Sequence, residues 1–414
     1  MSMVFPDYTH SILNLASSIL KAFGCECHHP SLPVLDQALA EPRKNRIFLI
    51  LDAMGDEFVK RQLAVDGYFR SHLADTLTSV YPCTTTAATT SMLSGLAPVE
   101  HGWLGWSPWF REYGRIIDVY LDRDSLSGQE IKPPAGELMP YEDLGRKICA
   151  ATRGSVGLHR IQPNFAEDGV DTFEQVIERM RSYAALPGPQ LILAYWHQPD
   201  SRMHQEGPYS PAVLAEVQVF ERQLQALMAE LDDTLLIISA DHGQVPVERE
   251  VYLDDHPDIL ECLVLPPTLE TRAISFFVKH HRRTEFGERF NAAFGDCYLL
   301  MDRDEVLTRE LFGPGPAHRK IDDFLGDFLA CATGNTIIRY HGRFERPRQV
   351  FHGHHAGLCP EEMLVPLIVT KSVCKTVGSG VITALYPLRK LPDLFVLPIQ
   401  QNHLCHSSQF QANC

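Results

Sequence analysis

The sequence predicts an α/β protein: a mostly parallel sheet with helices on both faces, plus a smaller inserted cap subdomain. Three observations carry this. Short apolar runs end in polar residues, as in RIFLILD (46–52), QLILAYW (190–196) and TLLIISAD (234–241). Such runs read as strands buried on both sides. Helical patterns at 172–186 and 210–230 separate GSVGLHRI, QLILAYW and TLLIISAD, and strands alternating with helices imply parallel pairing. Between 255 and 345 this order breaks into AISFFVK, a polar helix near 284–294, CYLLM and the Gly/Pro break FGPGPAH.

In order, HSILNLASSILKAFG is an amphipathic helix, RIFLILD the first strand and LTSVY the second. Residues 86–94 form a helix that Gly95 ends, followed by the aromatic loop HGWLGWSPWF. GSVGLHRI, QLILAYW and TLLIISAD are further strands, NTIIRY leaves the cap, and VPLIVTK (365–371) returns to the main sheet. Residues 1–254 and 346–390 are thus expected to form the core, 255–345 the cap, and 391–414 a C-terminal tail.

With 414 residues, 45% hydrophobic and 21% charged, the chain has ample material for a core without disulfides. Its eleven Cys lack a repeating framework, which fits reduced thiols and a cytoplasmic location. A formal net charge of −15 disfavours nucleic-acid polymers and anionic membranes as partners. No apolar run reaches the roughly 18 residues of a membrane span.

Ligands of such sheets sit at the carboxyl ends of the strands. Asp52 lies at one such end, and Asp200 with His204 follows another at i, i+4 spacing. Asp241 and His242 follow a third, and His352, His354 and His355 cluster in HGHHAG. Singly these are caps, turns or surface loops; together they are the carboxylates and imidazoles that suit Zn²⁺ or Mn²⁺. Six such ligands hold two ions, as two-metal phosphoryl chemistry requires. YPCTTTAATTSMLSGLAPVEHG (81–102) places Thr84, Thr85, Thr86, Thr89 and Thr90 where a helix begins. A Thr hydroxyl there attacks only if its alkoxide is stabilised, which a metal ion does and a helix N-terminus assists. The bland alternative is that these hydroxyls cap and pack the helix.

The segments resemble, in order and spacing, the alkaline phosphatase superfamily, and most closely its type I phosphodiesterase/nucleotide pyrophosphatase branch. The resemblance rests on Tyr81–Gly102, on PDSRMHQEGP (Pro199 to Pro208), on Ala240–Gly243 and on His355. It implies an alkaline-phosphatase-like core with Thr85 as nucleophile. One metal would be held by Asp200, His204 and His355, with His354 as fallback and His352 orienting its neighbours or facing solvent. The second would be held by Asp52, Asp241 and His242, with Thr85 facing it. The implied cofactors are two divalent ions, Zn²⁺ first and Mn²⁺ second. The implied activity is phosphodiester or pyrophosphate hydrolysis of a small phosphorylated substrate through a phospho-enzyme. Phosphomonoesterase or phosphonate hydrolase activity, and a silent binding member, are the alternatives. The branch usually has Asn three residues after the nucleophile, where this chain has Ala88. The phosphoryl donor then comes from elsewhere, as from the N–H or hydroxyl of Thr86, or is missing.

Trp103, Trp106 and Trp109 either line a pocket or fold against their own core. Cys25, Cys27, His28 and His29 look like half a metal site without a second half. KHHRRTE (279–285) is a small basic patch at the cap.

Overall fold

The computed structural model describes residues 2–342 and 349–372, so the expected tail at 391–414 lies outside the described residues. Six strands form the main sheet: β1 (Asn45–Leu51), β2 (Leu73–Thr78), β3 (Gly157–Ile161), β4 (Gln190–Trp196), β5 (Thr234–Ser239) and β6 (Leu364–Lys371). Their order is β2-β6-β5-β1-β4-β3, with β6 antiparallel to both neighbours and the rest parallel. β5 is buried throughout and β1 nearly so, which requires cover on both faces and explains their unbroken apolar sequences.

The register positions the chemistry. Leu51 pairs with Trp196, and Ile50 with both Tyr195 and Ser239. The three central strands therefore end side by side. Asp52, the turn into Asp200 and the Asp241–His242 pair emerge at one edge.

Helices around this sheet include α1 (Ile12–Ala22), α2 (Thr85–Ser94), α3 (Phe173–Ala184), α4 (Asp200–Glu206) and α5 (Pro211–Glu230). Among the described residues no helix is long and apolar enough to cross a membrane. The second strand differs from its expected position. It begins at Leu73, and only Leu77 and Thr78 of LTSVY belong to it. Ser79 turns away, its N–H bonding to Met363 O and its hydroxyl to Asp241 O. The polar start LADT hides the strand from a hydrophobicity pattern, while buried Val80 and Tyr81 imitate one.

Residues 268–332 build a separate four-stranded antiparallel sheet, ordered Thr268–Leu269, Ala273–Phe276, Phe328–Ala332, Tyr298–Asp302. Phe276, Phe286, Phe290, Phe294 and Tyr298 fill a second core beneath it. Thr336–Arg339 leaves this region paired in parallel with Arg249–Tyr252.

Candidate active site

Asp52 follows β1, and the chain turns at once through Ala53, whose φ of 61° is rare for a residue with a side chain. Gly55 lets this turn meet the one after β5, because a Cβ on Gly55 would lie 2.8 Å from the Cα of Gly243. The Gly of DAMG and the Gly of DHG are thus one contact, and it holds Asp52 against Asp241–His242.

His242 Nδ1 lies 3.1 Å from Gly243 O. A carbonyl only accepts, so Nδ1 carries the hydrogen and Nε2 keeps its lone pair. That lone pair faces oxygen on several sides: Thr85 Oγ1 at 3.2 Å, Asp52 Oδ1 at 3.4 Å and Asp241 Oδ2 at 3.4 Å. Asp52 Oδ1 and Asp241 Oδ2 are sealed from solvent without a hydrogen-bond donor. Buried, unpaired carboxylate oxygens facing a lone pair are costly unless a cation joins them. The donor set fits a divalent metal ion.

The neighbouring cluster has the same logic. Asp200 and His204 stand one turn apart on α4, with Asp200 Oδ1 3.4 Å from His204 Nε2 and 3.8 Å from His355 Nε2. His204 Nδ1 lies 2.8 Å from Gly353 O and His355 Nδ1 lies 3.2 Å from Cys83 O, so both rings turn their Nε2 lone pairs inward. Asp200, His204 and His355 form one group able to hold an ion; Asp52, Asp200 and His242 form another. Asp200 therefore stands between the two, and the rings of His242 and His355 stack at 3.8 Å. His354 differs: its Nδ1 meets the His355 N–H at 3.0 Å and its Nε2 lies 3.2 Å from Thr271 Oγ1. Both its nitrogens are engaged, one by a backbone N–H and one by a hydroxyl, and His352 is exposed.

Burial, with Asp241 and Asp200 close by, pushes the Asp52 carboxyl well above its ordinary range, and burial raises Asp241 as well. His355 is held well below the usual histidine range by burial, then by His242 and His204. These shifts favour the neutral forms while only protein surrounds the groups.

Of the five threonines only Thr85, the first residue of α2, is partly open. Thr84 precedes the helix but sends its hydroxyl to Glu270 Oε1 at 2.8 Å. Thr89 and Thr90 bond back to the carbonyls of Thr85 and Thr86. The Thr86 hydroxyl is sealed without a partner, so it faces no substrate.

Several residues of the site give no signal in the sequence. The Tyr195 hydroxyl donates to Asp52 Oδ2, and Gln244 Nε2 donates to Asp200 Oδ1 at 2.6 Å. Tyr195 reads only as a strand residue, and Gln244 merely follows DHG. Trp103 is buried with its indole N–H on Met139 O, while Trp106 is half-buried against Tyr120. His29 is absorbed by Glu100 at 2.6 Å, and Cys25 and Cys27 are free thiols. In the 279–285 patch, Arg282 pairs with Glu285 and Glu261 and Arg283 with Asp327, which spends its charge locally.

The fold and the paired clusters define an alkaline-phosphatase-like α/β protein. Solved structures agree on the fold. Human ectonucleotide pyrophosphatase/phosphodiesterase 5 superposes with a TM-score of 0.59 at 14% identity, covering 78% of this chain and 87% of that one. An inactive murine form in complex with AMP gives 0.55 at 16% identity, covering 79% and 87%. Rat ectonucleotide pyrophosphatase/phosphodiesterase family member 3 is 27% identical over 203 residues, which are 44% of this chain and 22% of that protein. The match thus spans about a fifth of that relative. The profile of the type I phosphodiesterase/nucleotide pyrophosphatase family matches residues 68–355. The chain belongs to that family.

Proposed function

We propose that this protein is a metal-dependent hydrolase of small phosphodiesters or nucleotide pyrophosphates, with Thr85 as nucleophile. The observation that carries the reading is the position of Thr85 Oγ1, 3.2 Å from His242 Nε2 and at the open end of α2. Family membership supports the bond type, and the murine relative's complex with AMP supports a nucleotide-like substrate. Asp200, His204 and His355 would hold one divalent ion, and Asp52, Asp241 and His242 the other, with Zn²⁺ the first choice. When bound, such ions supply positive charge to the reacting oxygens and lower the pKa of a hydroxyl or water.

The chain's own residues do the rest. Thr85 Oγ attacks phosphorus as its proton passes to solvent, its O–P bond forms as the P–O bond to the leaving group breaks, and the leaving oxygen departs as an alcohol or nucleotide that takes up a proton from solvent where it needs one. Water then attacks the phosphorus of the phospho-threonine or its ester-bearing equivalent, the Thr85 O–P bond breaks, and a proton from the water returns to Thr85 Oγ as the product leaves. Tyr195 and Gln244 fix the carboxylates of Asp52 and Asp200. Eight free cysteines among the described residues support a reducing, cytoplasmic setting.

The test is hydrolysis by metal-loaded protein of p-nitrophenyl phosphate, bis-p-nitrophenyl phosphate and a nucleoside 5′-monophosphate p-nitrophenyl ester. The diesters should turn over faster, and Thr85→Ala should lose about a thousandfold or more. Acid quenching during turnover of the nucleoside ester should trap the nucleotidyl group on the peptide containing Thr85, seen by mass spectrometry. Preferred monoester turnover would move the protein to the phosphatase side, and an active Thr85→Ala enzyme would remove the nucleophile assignment.

A further inference from the structure

Glu270 reaches the nucleophile helix from the second sheet. It lies in the turn between Thr268–Leu269 and Ala273–Phe276, and its Oε1 accepts hydrogen bonds from Thr84 Oγ1 at 2.8 Å and from the Trp106 N–H at 2.7 Å. Thr84 immediately precedes Thr85, so this carboxylate stands at the start of α2.

The turn is built to bring it there. Ser107 and Leu269 exchange backbone hydrogen bonds of 3.0 and 2.9 Å. Leu269 has φ 74°, a conformation that costs a residue with a side chain and persists only where its surroundings enforce it. Gly105 permits the approach, because a Cβ there would lie 3.3 Å from Glu270 Cγ and from Leu269 Cα. Ala53 beside Asp52 and Ala356 beside His355 share this positive φ, so the same kind of strain flanks three carboxylate or imidazole positions around the site. Both hydrogen bonds to Glu270 end on Oε1. Among the described residues no donor meets Oε2, and Glu270 as a residue is only partly buried. Burial raises its pKa to about 7, Asp118 adding to the rise, while the Thr84 and Trp106 hydrogen bonds and His242 oppose it.

We propose that Glu270 is a specificity-determining residue that favours singly charged phosphodiesters over doubly charged phosphomonoesters. The inference rests on the hydrolase reading above and sharpens its substrate class. A monoester dianion carries one more negative charge than a diester. Repulsion from a fixed carboxylate at the start of α2 grows with that charge, enough for roughly a tenfold preference. The ester group of a diester replaces the oxygen that would bear the second charge.

The test compares wild type with Glu270→Gln and Glu270→Asp near pH 8. The ratio of kcat/KM for bis-p-nitrophenyl phosphate to that for p-nitrophenyl phosphate should fall about tenfold in the Gln variant, chiefly because the monoester improves. The Asp variant, which keeps the charge, should hold the ratio near wild type. Independently of turnover, inorganic phosphate should bind metal-loaded Thr85→Ala protein about tenfold more tightly once Glu270→Gln is added, read by calorimetry. Equal loss on both substrates with unchanged phosphate affinity would make Glu270 a scaffold residue and overturn the inference. If wild type hydrolyses no phosphate ester, the functional proposal fails, and phosphate binding alone still decides the role of Glu270.

Discussion

The five hydroxyls of the threonine run meet four different fates, and the surroundings of each decide it. Thr84 is committed to Glu270, Thr89 and Thr90 to the helix backbone, and Thr85 alone is open toward His242. Thr86 keeps a buried hydroxyl that makes no hydrogen bond. Removing an unsatisfied buried polar atom relieves a desolvation cost. Thr86→Val should therefore leave turnover intact and raise the unfolding free energy by up to about 1 kcal/mol, measured by urea titration. A large loss of activity would mean that this hydroxyl faces substrate after all. The sequence could not rank these hydroxyls, because all five share one chemistry and differ only in burial.

Among the elements, the late histidine loop depends on a contact with the second sheet. Arg272 and Glu362 are both fully buried, joined by bonds of 2.9 and 2.6 Å. Glu362 also accepts the N–H groups of Gly357 and Cys359, and Arg272 donates to Gly334 O and Thr336 O. The pair therefore braces the turn that carries His355 against the segment leaving the second sheet. Breaking one partner strands the other charge in the core, at a cost of about 3–5 kcal/mol. Glu362→Ala should lower stability by that amount in urea and weaken metal retention on dialysis. Unchanged metal content in a folded variant would separate the brace from the site. Nothing in HGHHAGLCPEE announces this, since Arg272 lies ninety positions away.

For the whole molecule, metal and proton compete for the same buried groups. Asp52 and Asp241 have folded pKa values above their unfolded ones. Their contribution to stability is complete at low pH and is lost as pH rises through those raised values. His355, held low, acts in the other direction: its contribution is present above the ordinary histidine range and is lost as pH falls through its folded value. A divalent ion takes the place of the protons on the carboxylates, so its benefit is greatest where those protons are scarce. Adding Zn²⁺ to chelator-treated protein should raise the Tm more at about pH 8 than at about pH 5.5, as calorimetry would show. The reverse order would take the two carboxylates out of the metal site.

The parallel core follows from the residue pattern alone. Buried strands such as Phe48–Leu51 and Leu235–Ile238 must be apolar on both faces, and that pattern survives in any order of strands. The sequence also dictates that Asp and His gather at the strand ends, because chain direction fixes where each strand stops. Which of three neighbouring histidines turns a lone pair inward is set by the fold, since it depends on the Cys83 carbonyl beneath His355 and the Thr271 hydroxyl beside His354, both from distant segments. The fold alone brought Tyr195, Gln244 and Glu270 to the site, through register, a turn and a strained hairpin. Residue type is local, whereas hydrogen-bond partners come from whatever chain the fold carries past.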